Sequence, residues 1–329
     1  MKVGIDNYGL LPLGLSPHET MEWALKNGAA GVAFSGIPGR PNRHYDKGLL
    51  RDVKDFAKDN DMYLEWGGGQ HFPLDMQNWG AKEILSQNQL MAEEAAFLRV
   101  QIVRSCSGGL MRWQNNSPDT SLFINQMADE LRKLHPIIKD LGVIWAVETH
   151  FELTSFELLK VFELLGIGPG EGIGICLDTM NLLTMLENPV DAVKRLLPWI
   201  VSTHIKDGGL LSSSNGLISF PAAIDQGYIH LPDIIKELYH TFPELNLSIE
   251  DHNGSFDLPI NDQVFRNKFP NLNDRELSKL FTLAQEAESE RSVIERNFMD
   301  RNLWRDVCES RMTENIRRLK EIVVNLNIQ

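Results

Sequence analysis

Four side chains able to hold or move charge sit at the ends of apolar runs between Glu148 and Glu250. Glu148 closes "VIWAVETH", Asp178 closes "GICLDTMN", His204 lies in "VSTHIKD", and Glu250 lies in "LNLSIEDHNG". Three carboxylates buried together repel one another unless a cation sits among them. A divalent metal resolves that conflict. Three carboxylates and one imidazole, with no thiolate, suit a hard or borderline ion that takes more than four ligands. Mn2+ is the first expectation, with Mg2+ or Co2+ as alternatives, and zinc fits less naturally. A single acid at a strand end more often caps a helix or pairs with a cation. The weight lies in the set, one residue on each of four successive strands.

Alternate residues of a strand share a face. His150 therefore lies with Glu148, Lys206 with His204, and His252 with Glu250. A side chain two residues beyond a ligand points over the metal, where substrate would lie. His150 is the candidate general acid/base, because imidazole titrates nearest the working range. The plainer reading is that it orients a ligand or caps the next helix. Lys206 either steadies a developing oxyanion or pairs with Asp207 or Glu250. Asn181, three residues past Asp178, is placed to hydrogen-bond a ligand or substrate. Arg104 ends the fourth run and either takes substrate oxygens or forms a structural ion pair. Glu65 and Trp66 end the third run, where a flat indole suits a sugar face. His71 follows in "GGGQH" and would reach in from there. Leu11, Met111 and Trp113 either line an apolar part of the pocket or only pack their loops.

The elements that must position these residues follow a rhythm. Eight short β-like runs alternate with amphipathic helical stretches: "KVGIDNYG", "GVAFSG", "YLEWGGG", "VQIVRSCSG" and the four above. The helices carry start and stop signals. Ser16-x-x-Glu19 and Thr154-x-x-Glu157 are capping boxes, Gly166 is a stop, and Pro189 opens a helix. "LPDIIKELYHTF" has helical apolar spacing. Strand then helix, eight times over, predicts a (β/α)8 TIM barrel, in which chemistry sits at the C-terminal strand ends. An open doubly wound sheet is the runner-up, but neither GxGxxG nor a Walker A motif follows the first run. One domain over 1–329 is expected, with an insertion at 253–300 between the eighth strand and the last helix. That stretch is too long for an ordinary loop and predicts its own helix, roughly Asp274 to Arg291. It reads as a lid, a partner-docking segment or surface decoration. Phe256, Phe265 and Phe269 in it call for cover.

Composition narrows the partners. The 329 residues carry a formal net charge of −13 and no basic stripe, which argues against nucleic acid. The longest apolar runs are strand length, so no membrane span is expected. The chain enters a strand at once, so no signal peptide is expected. Three widely spaced cysteines, Cys106, Cys176 and Cys308, make a disulfide framework improbable and fit a cytoplasmic protein.

"VETH", "CLDTMN", "THIKD" and "SIEDH", in that order, resemble the xylose isomerase-like barrel superfamily. That group contains sugar-phosphate isomerases and epimerases, inosose and dehydroshikimate dehydratases, and the endonuclease IV type of repair enzyme. The resemblance runs from Met1 to about His252 and resumes at the last helix. It assigns the family's metal ligands to Glu148, Asp178, His204 and Glu250. The extra histidines of endonuclease IV are missing here. Glu148 and Glu250 match the paired glutamates of ketose 3-epimerases. The Glu-x-His pair is more similar to the dehydratase and lyase branch. The size, the "GIDNYGL" opening and the late insertion most resemble the large α subunit of bacterial C-glycoside deglycosidases.

That resemblance implies a metal-dependent lyase acting on a 3-keto glycoside. His150 would take the proton α to the carbonyl, an enediolate would be stabilised, and the sugar–aglycone bond would break. Glu148 and Glu250 would hold the ion, and one would share the acid–base work. The resemblance also implies a small β subunit and a hetero-oligomer. A sugar (phosphate) isomerase or epimerase, or an inosose-type dehydratase, is the enzymatic alternative. A sugar-binding barrel is the non-enzyme alternative.

Overall fold

The computed structural model describes residues 1–36, 47–107 and 109–326. Gly108, at the end of the fourth run, and the last three residues of the expected 1–329 domain lie outside them. The eight runs form eight parallel strands: β1 (Val3–Asp6), β2 (Gly31–Phe34), β3 (Tyr63–Gly69), β4 (Ile102–Ser105), β5 (Ile144–Glu148), β6 (Ile173–Asp178), β7 (Ile200–Ile205) and, after a two-stranded excursion, β10 (Leu247–Ile249). They close in the order β1-β10-β7-β6-β5-β4-β3-β2, with helices outside, so the expected (β/α)8 barrel is the observed fold.

Cross-barrel contacts show which positions point inward. Tyr63 OH meets Ser248 Oγ at 2.8 Å, Ser202 Oγ donates to Glu65 at 2.5 Å, and His204 faces Asp6 at 3.3 Å. The Tyr63 ring fits only because Gly4 and Gly31 lack side chains. A Cβ on Gly31 would sit 2.2 Å from that ring. Both capping boxes form as expected, and Gly166 closes its helix in the left-handed conformation.

Periodicity alone does not predict the excursion. β8 (Asp207–Ser213) and β9 (Gly216–Ala222) form an antiparallel hairpin between β7 and the helix Leu231–Thr241. Its signal is present as Asn215–Gly216 between apolar segments. Part of the insertion, β11 (Phe256–Leu258), pairs with β9 as a third strand. The insertion helix starts at Asp274, capped by Asn273, and ends at Ala287, short of the expected Arg291. Beneath it Leu211, Phe220, Ile294 and Phe298 make a second small core. Phe265 and Phe269 are buried by the chain's own residues, and Phe256 packs on Phe151 at 4.5 Å between ring centres. Phe265 and Phe269 thus find cover within the chain, while Phe256 stays half-buried.

The closing helix, Trp304–Asn325, returns to the barrel through one buried ion pair. Arg311 donates twice to Asp251, at 2.7 and 2.8 Å, and Asn315 donates to the same carboxylate at 2.7 Å. Asp251 directly follows Glu250, so this pair anchors the eighth strand end. Removing one member of a buried pair strands the other charge. Asp251→Ala is expected to cost about 3–5 kcal/mol, read by urea unfolding. Glu314→Ala, which removes an exposed pair with Arg317, is expected to cost less than about 1 kcal/mol.

Candidate metal centre

Glu148, Asp178, His204 and Glu250 converge. Each is buried, and one ligand-type atom from each lies within 4.8 Å of the others. Strand register does part of this, since Asp178 pairs directly with His204. Threonines do another part. Thr149, after Glu148, accepts from Asp178 N at 2.8 Å and donates to Asp178 O at 3.0 Å. Thr179, after Asp178, does the same to Lys206 N and O, at 2.9 and 2.6 Å. Each hydroxyl locks a ligand-bearing strand end to the next.

The ligand atoms are fixed from behind. Glu148 is ion-paired with Arg104, whose other amino group donates to Ser35 O at 2.9 Å. Asp178 Oδ1 accepts from the backbone N–H of Met180 and of Asn181, at 2.9 and 2.8 Å. His204 Nε2 faces Asp6 Oδ2 at 3.3 Å, and its Nδ1 lies 3.5 Å from Glu148 and 3.4 Å from Glu250. Burial opposes charge on His204, but Cys176, Glu250 and Glu148 raise it well above the ordinary histidine range; with a cation in the cluster, a proton kept on Nε2 toward Asp6 would leave Nδ1 a lone pair for it.

This set passes the test for a divalent cation. Asp178 Oδ2, His204 Nδ1 and Glu250 Oε2 are buried without a hydrogen bond, all facing one point. Lys206 Nζ comes within 3.0 Å of Asp178 and 2.5 Å of Glu250, but not in line for hydrogen bonds. Orphaned buried acceptors of this kind are rare unless an ion satisfies them.

The charges are strongly coupled. Burial disfavours ionised Glu148, but Arg104 and His204 outweigh it and hold the carboxyl well below the usual range. Burial likewise opposes Glu250, and Lys206 and His204 hold it low. Asp178 is pushed up to about 6 by burial despite Lys206. A bound cation favours the ionised form of all three.

Above the cluster opens a cavity of about 800 Å3, the size of a small-molecule site. Glu148, Glu250, Arg104, Lys206, His150, His252 and Leu11 line it. His150 Nδ1 lies 3.1 Å from Glu152, a buried carboxylate that Gly109 N–H also holds, at 2.8 Å. Burial opposes charge on His150, yet Cys106 and Glu152 together raise it well above the ordinary histidine range. The Cys106 thiol is itself pushed up by burial, so Glu152 is the anion that counts. His252 is driven the other way, down to about 3, by burial and by Lys206.

Three expected contributors lie elsewhere. Trp66 is buried outside the barrel wall, tilted against Phe34 and donating to Glu94 at 3.0 Å. The physical reason is alternation: Glu65 takes the inward position, so Trp66 must face the helices. The Asn181 side chain does not line the cavity, and its link to the site is its backbone N–H. His71 turns into the core, 3.1 Å from Ser105 Oγ. Met111 and Trp113 also stay off the cavity wall. Arg104 and Lys206 line the cavity while they hold carboxylates, so both readings of each are compatible.

The structure adds Asp6, Glu152, Tyr8 and Arg301. Asp6 ends the first strand, a place the strand-end rule covers. Glu152 sits past the strand, where alternation no longer predicts direction. Cys106, His150 and Glu152 form a second group with ligand-type atoms within 4.8 Å.

Comparison with known proteins comes down to family and fold. A family model described as "Xylose isomerase-like TIM barrel" matches residues 21–269. An uncharacterized Escherichia coli (strain K12) protein, YihM, is 24% identical over 195 residues, which is 54% of this chain and 58% of that protein, so less than two thirds of the relative is spanned. A D-allulose 3-epimerase from Methylomonas sp. superposes with a TM-score of 0.61 at 12% identity over 98% of each chain. An E. coli 3-keto-D-glucoside 4-epimerase superposes at 0.58 with 15% identity, over 86% of this chain and 99% of that one. At such identities the superpositions speak for the fold. Among the described residues, no helix is long and apolar enough to cross a membrane.

Two measurements follow from this geometry. Metal-loaded protein should carry one divalent ion per chain by elemental mass spectrometry, and a Glu148→Gln, Asp178→Asn double variant should carry less than about a tenth of that; equal contents would sink the site. Glu65, buried against Ser202, is raised from 4.5 to about 7 by burial. Its protonated form favours the fold, so that contribution is whole below pH 4.5 and lost as pH rises through about 7. The loss is on the order of 3 kcal/mol, and Glu65→Gln should flatten that part of the stability–pH curve.

Proposed function

The chain belongs to the xylose isomerase-like TIM barrel family, and from that premise we propose that it is a divalent-metal-dependent isomerase or epimerase of a keto-sugar. The observation that carries this reading is a pair of imidazoles in one cavity. His150 and His252 each lie two residues past a cluster carboxylate, at the two ends of the arc β5-β6-β7-β10 that carries the four ligands. A proton removed from one face of a carbon and returned to the opposite face calls for two such groups, whereas return on the same face of a neighbouring carbon can use one. Sugar epimerases among similar folds agree with the reading.

Glu148, Asp178, His204 and Glu250 would hold the ion, and Mn2+ best suits three carboxylates with one imidazole. When bound, the ion supplies Lewis-acid polarisation of the carbonyl and the adjacent hydroxyl. The chain's own groups do the rest. Arg104 and Lys206 keep Glu148 and Glu250 ionised, which makes these carboxylates better ligands than bases. His252 offers a neutral nitrogen. His150, held by Glu152, carries a proton into the cavity. Half-buried Phe256 and buried Phe151 cover one side and limit water.

Elimination from a keto-glycoside is the second reading, because it starts with the same proton removal and because about 800 Å3 exceeds what a single sugar ring fills. Product mass separates the two outcomes: an unchanged mass for isomerisation, a released aglycone for elimination. His150→Ala should lower kcat by roughly 10²–10⁴-fold with metal content unchanged. Near-normal turnover in that variant would remove His150 from the reaction.

A further inference from the structure

A side pocket of about 210 Å3 opens beside the main cavity. The two share Tyr8, Leu11, His252 and Arg301. Arg305, four residues on and so one helical turn away, also lines the side pocket. No aspartate or glutamate lines it, in a chain whose net charge is −13. The other cations of the main cavity are matched: Arg104 with Glu148, and Lys206 with Asp178 and Glu250. Arg301 and Arg305 have no acidic partner within 4.0 Å among the described residues.

Arg301 is nevertheless held in place. One amino group donates to Tyr8 OH, and its guanidinium carbon lies 5.9 Å from the centre of that ring. The other lies 3.3 Å from His252 Nδ1, which is also 3.0 Å from Asn253 O. A ring nitrogen that donates its proton to a carbonyl has no lone pair left for an arginine. Arg301 thus keeps donors to spare, presented as a rigid fork at the point where the two cavities join. A planar fork of this kind matches a carboxylate or phosphate.

We propose that the side pocket is a subsite for an anionic substituent of the substrate, a carboxylate or a phosphate ester, with Arg301 and Arg305 as its ligands. The substrate of the metal site is then an acidic sugar derivative, its keto end over the ligand cluster and its charged end between the two arginines. This deepens the keto-sugar reading and rests on it for the identity of the sugar.

Titration calorimetry on metal-loaded protein tests it, with D-fructose, D-fructose 6-phosphate and D-fructuronate as probes. At least one anionic sugar should bind tenfold or more tightly than fructose, and the stronger of the two identifies the preferred anion. In an Arg301→Gln, Arg305→Gln double variant that advantage should fall below twofold. Arg305→Gln alone, at an exposed position, should show a partial loss and serves if the double variant is unstable. No preference for either anion, no binding of either, or an advantage that survives the substitutions overturns the subsite. Deuterium exchange at the carbon next to the carbonyl is read separately. Anion preference without exchange counts against the proton-transfer reading and leaves the subsite standing; exchange on neutral fructose without anion preference does the reverse.

Discussion

Three carboxylates forced into one buried space is the constraint on which the rest of this structure depends. With Glu148, Asp178 and Glu250 within 4.8 Å of one another and of His204, mutual repulsion in a low-dielectric interior would open the site. Two protein cations sit against them, Arg104 on one flank and Lys206 on the other. These do not complete the balance, because three ligand atoms still lack hydrogen bonds. The cluster is shaped for one more positive charge at its centre. The same cations have an electrostatic consequence: with His204 they hold Glu148 and Glu250 ionised against the cost of burial.

Such a cluster needs a frame that cannot relax. The closed sheet provides it, and the details concentrate at the ligand ends. Thr149 and Thr179 tie neighbouring strand ends by paired hydrogen bonds. Asp251, directly after Glu250, is clamped by Arg311 and Asn315 from the closing helix. Arg112 reaches from the rim to the Glu152 carbonyl at 3.2 Å and to Glu157, and it also donates to Lys268 O in the insertion. Through these contacts the insertion and the closing helix are part of the wall of the site.

The misplaced expectations share a cause. Trp66 and Asn181 were read from their distance along the chain to an important residue. Direction decides the matter instead. Glu65 points inward, so its neighbour Trp66 points out to Glu94. Asn181 begins a short helix, so its backbone rather than its side chain meets Asp178. Glu152 shows the converse: it lies beyond the strand, and the turn of the loop brings it back to His150.

The sequence by itself determined the barrel, its helix caps and the four strand-end residues that cluster at its rim. All of these rest on local periodicity or on residue type at a strand end, which three or four neighbouring residues encode. Tertiary structure alone decided what surrounds those ligands. Asp6 meets His204, Arg301 meets Tyr8 and His252, and the β8–β9 hairpin gains β11 from the insertion. These partners are separated by tens to hundreds of residues, and no local pattern specifies such a distance. Barrel closure brings the first strand against the eighth, and the start of the closing helix with the turn before it then places Arg305 and Arg301 at the rim beside the main cavity.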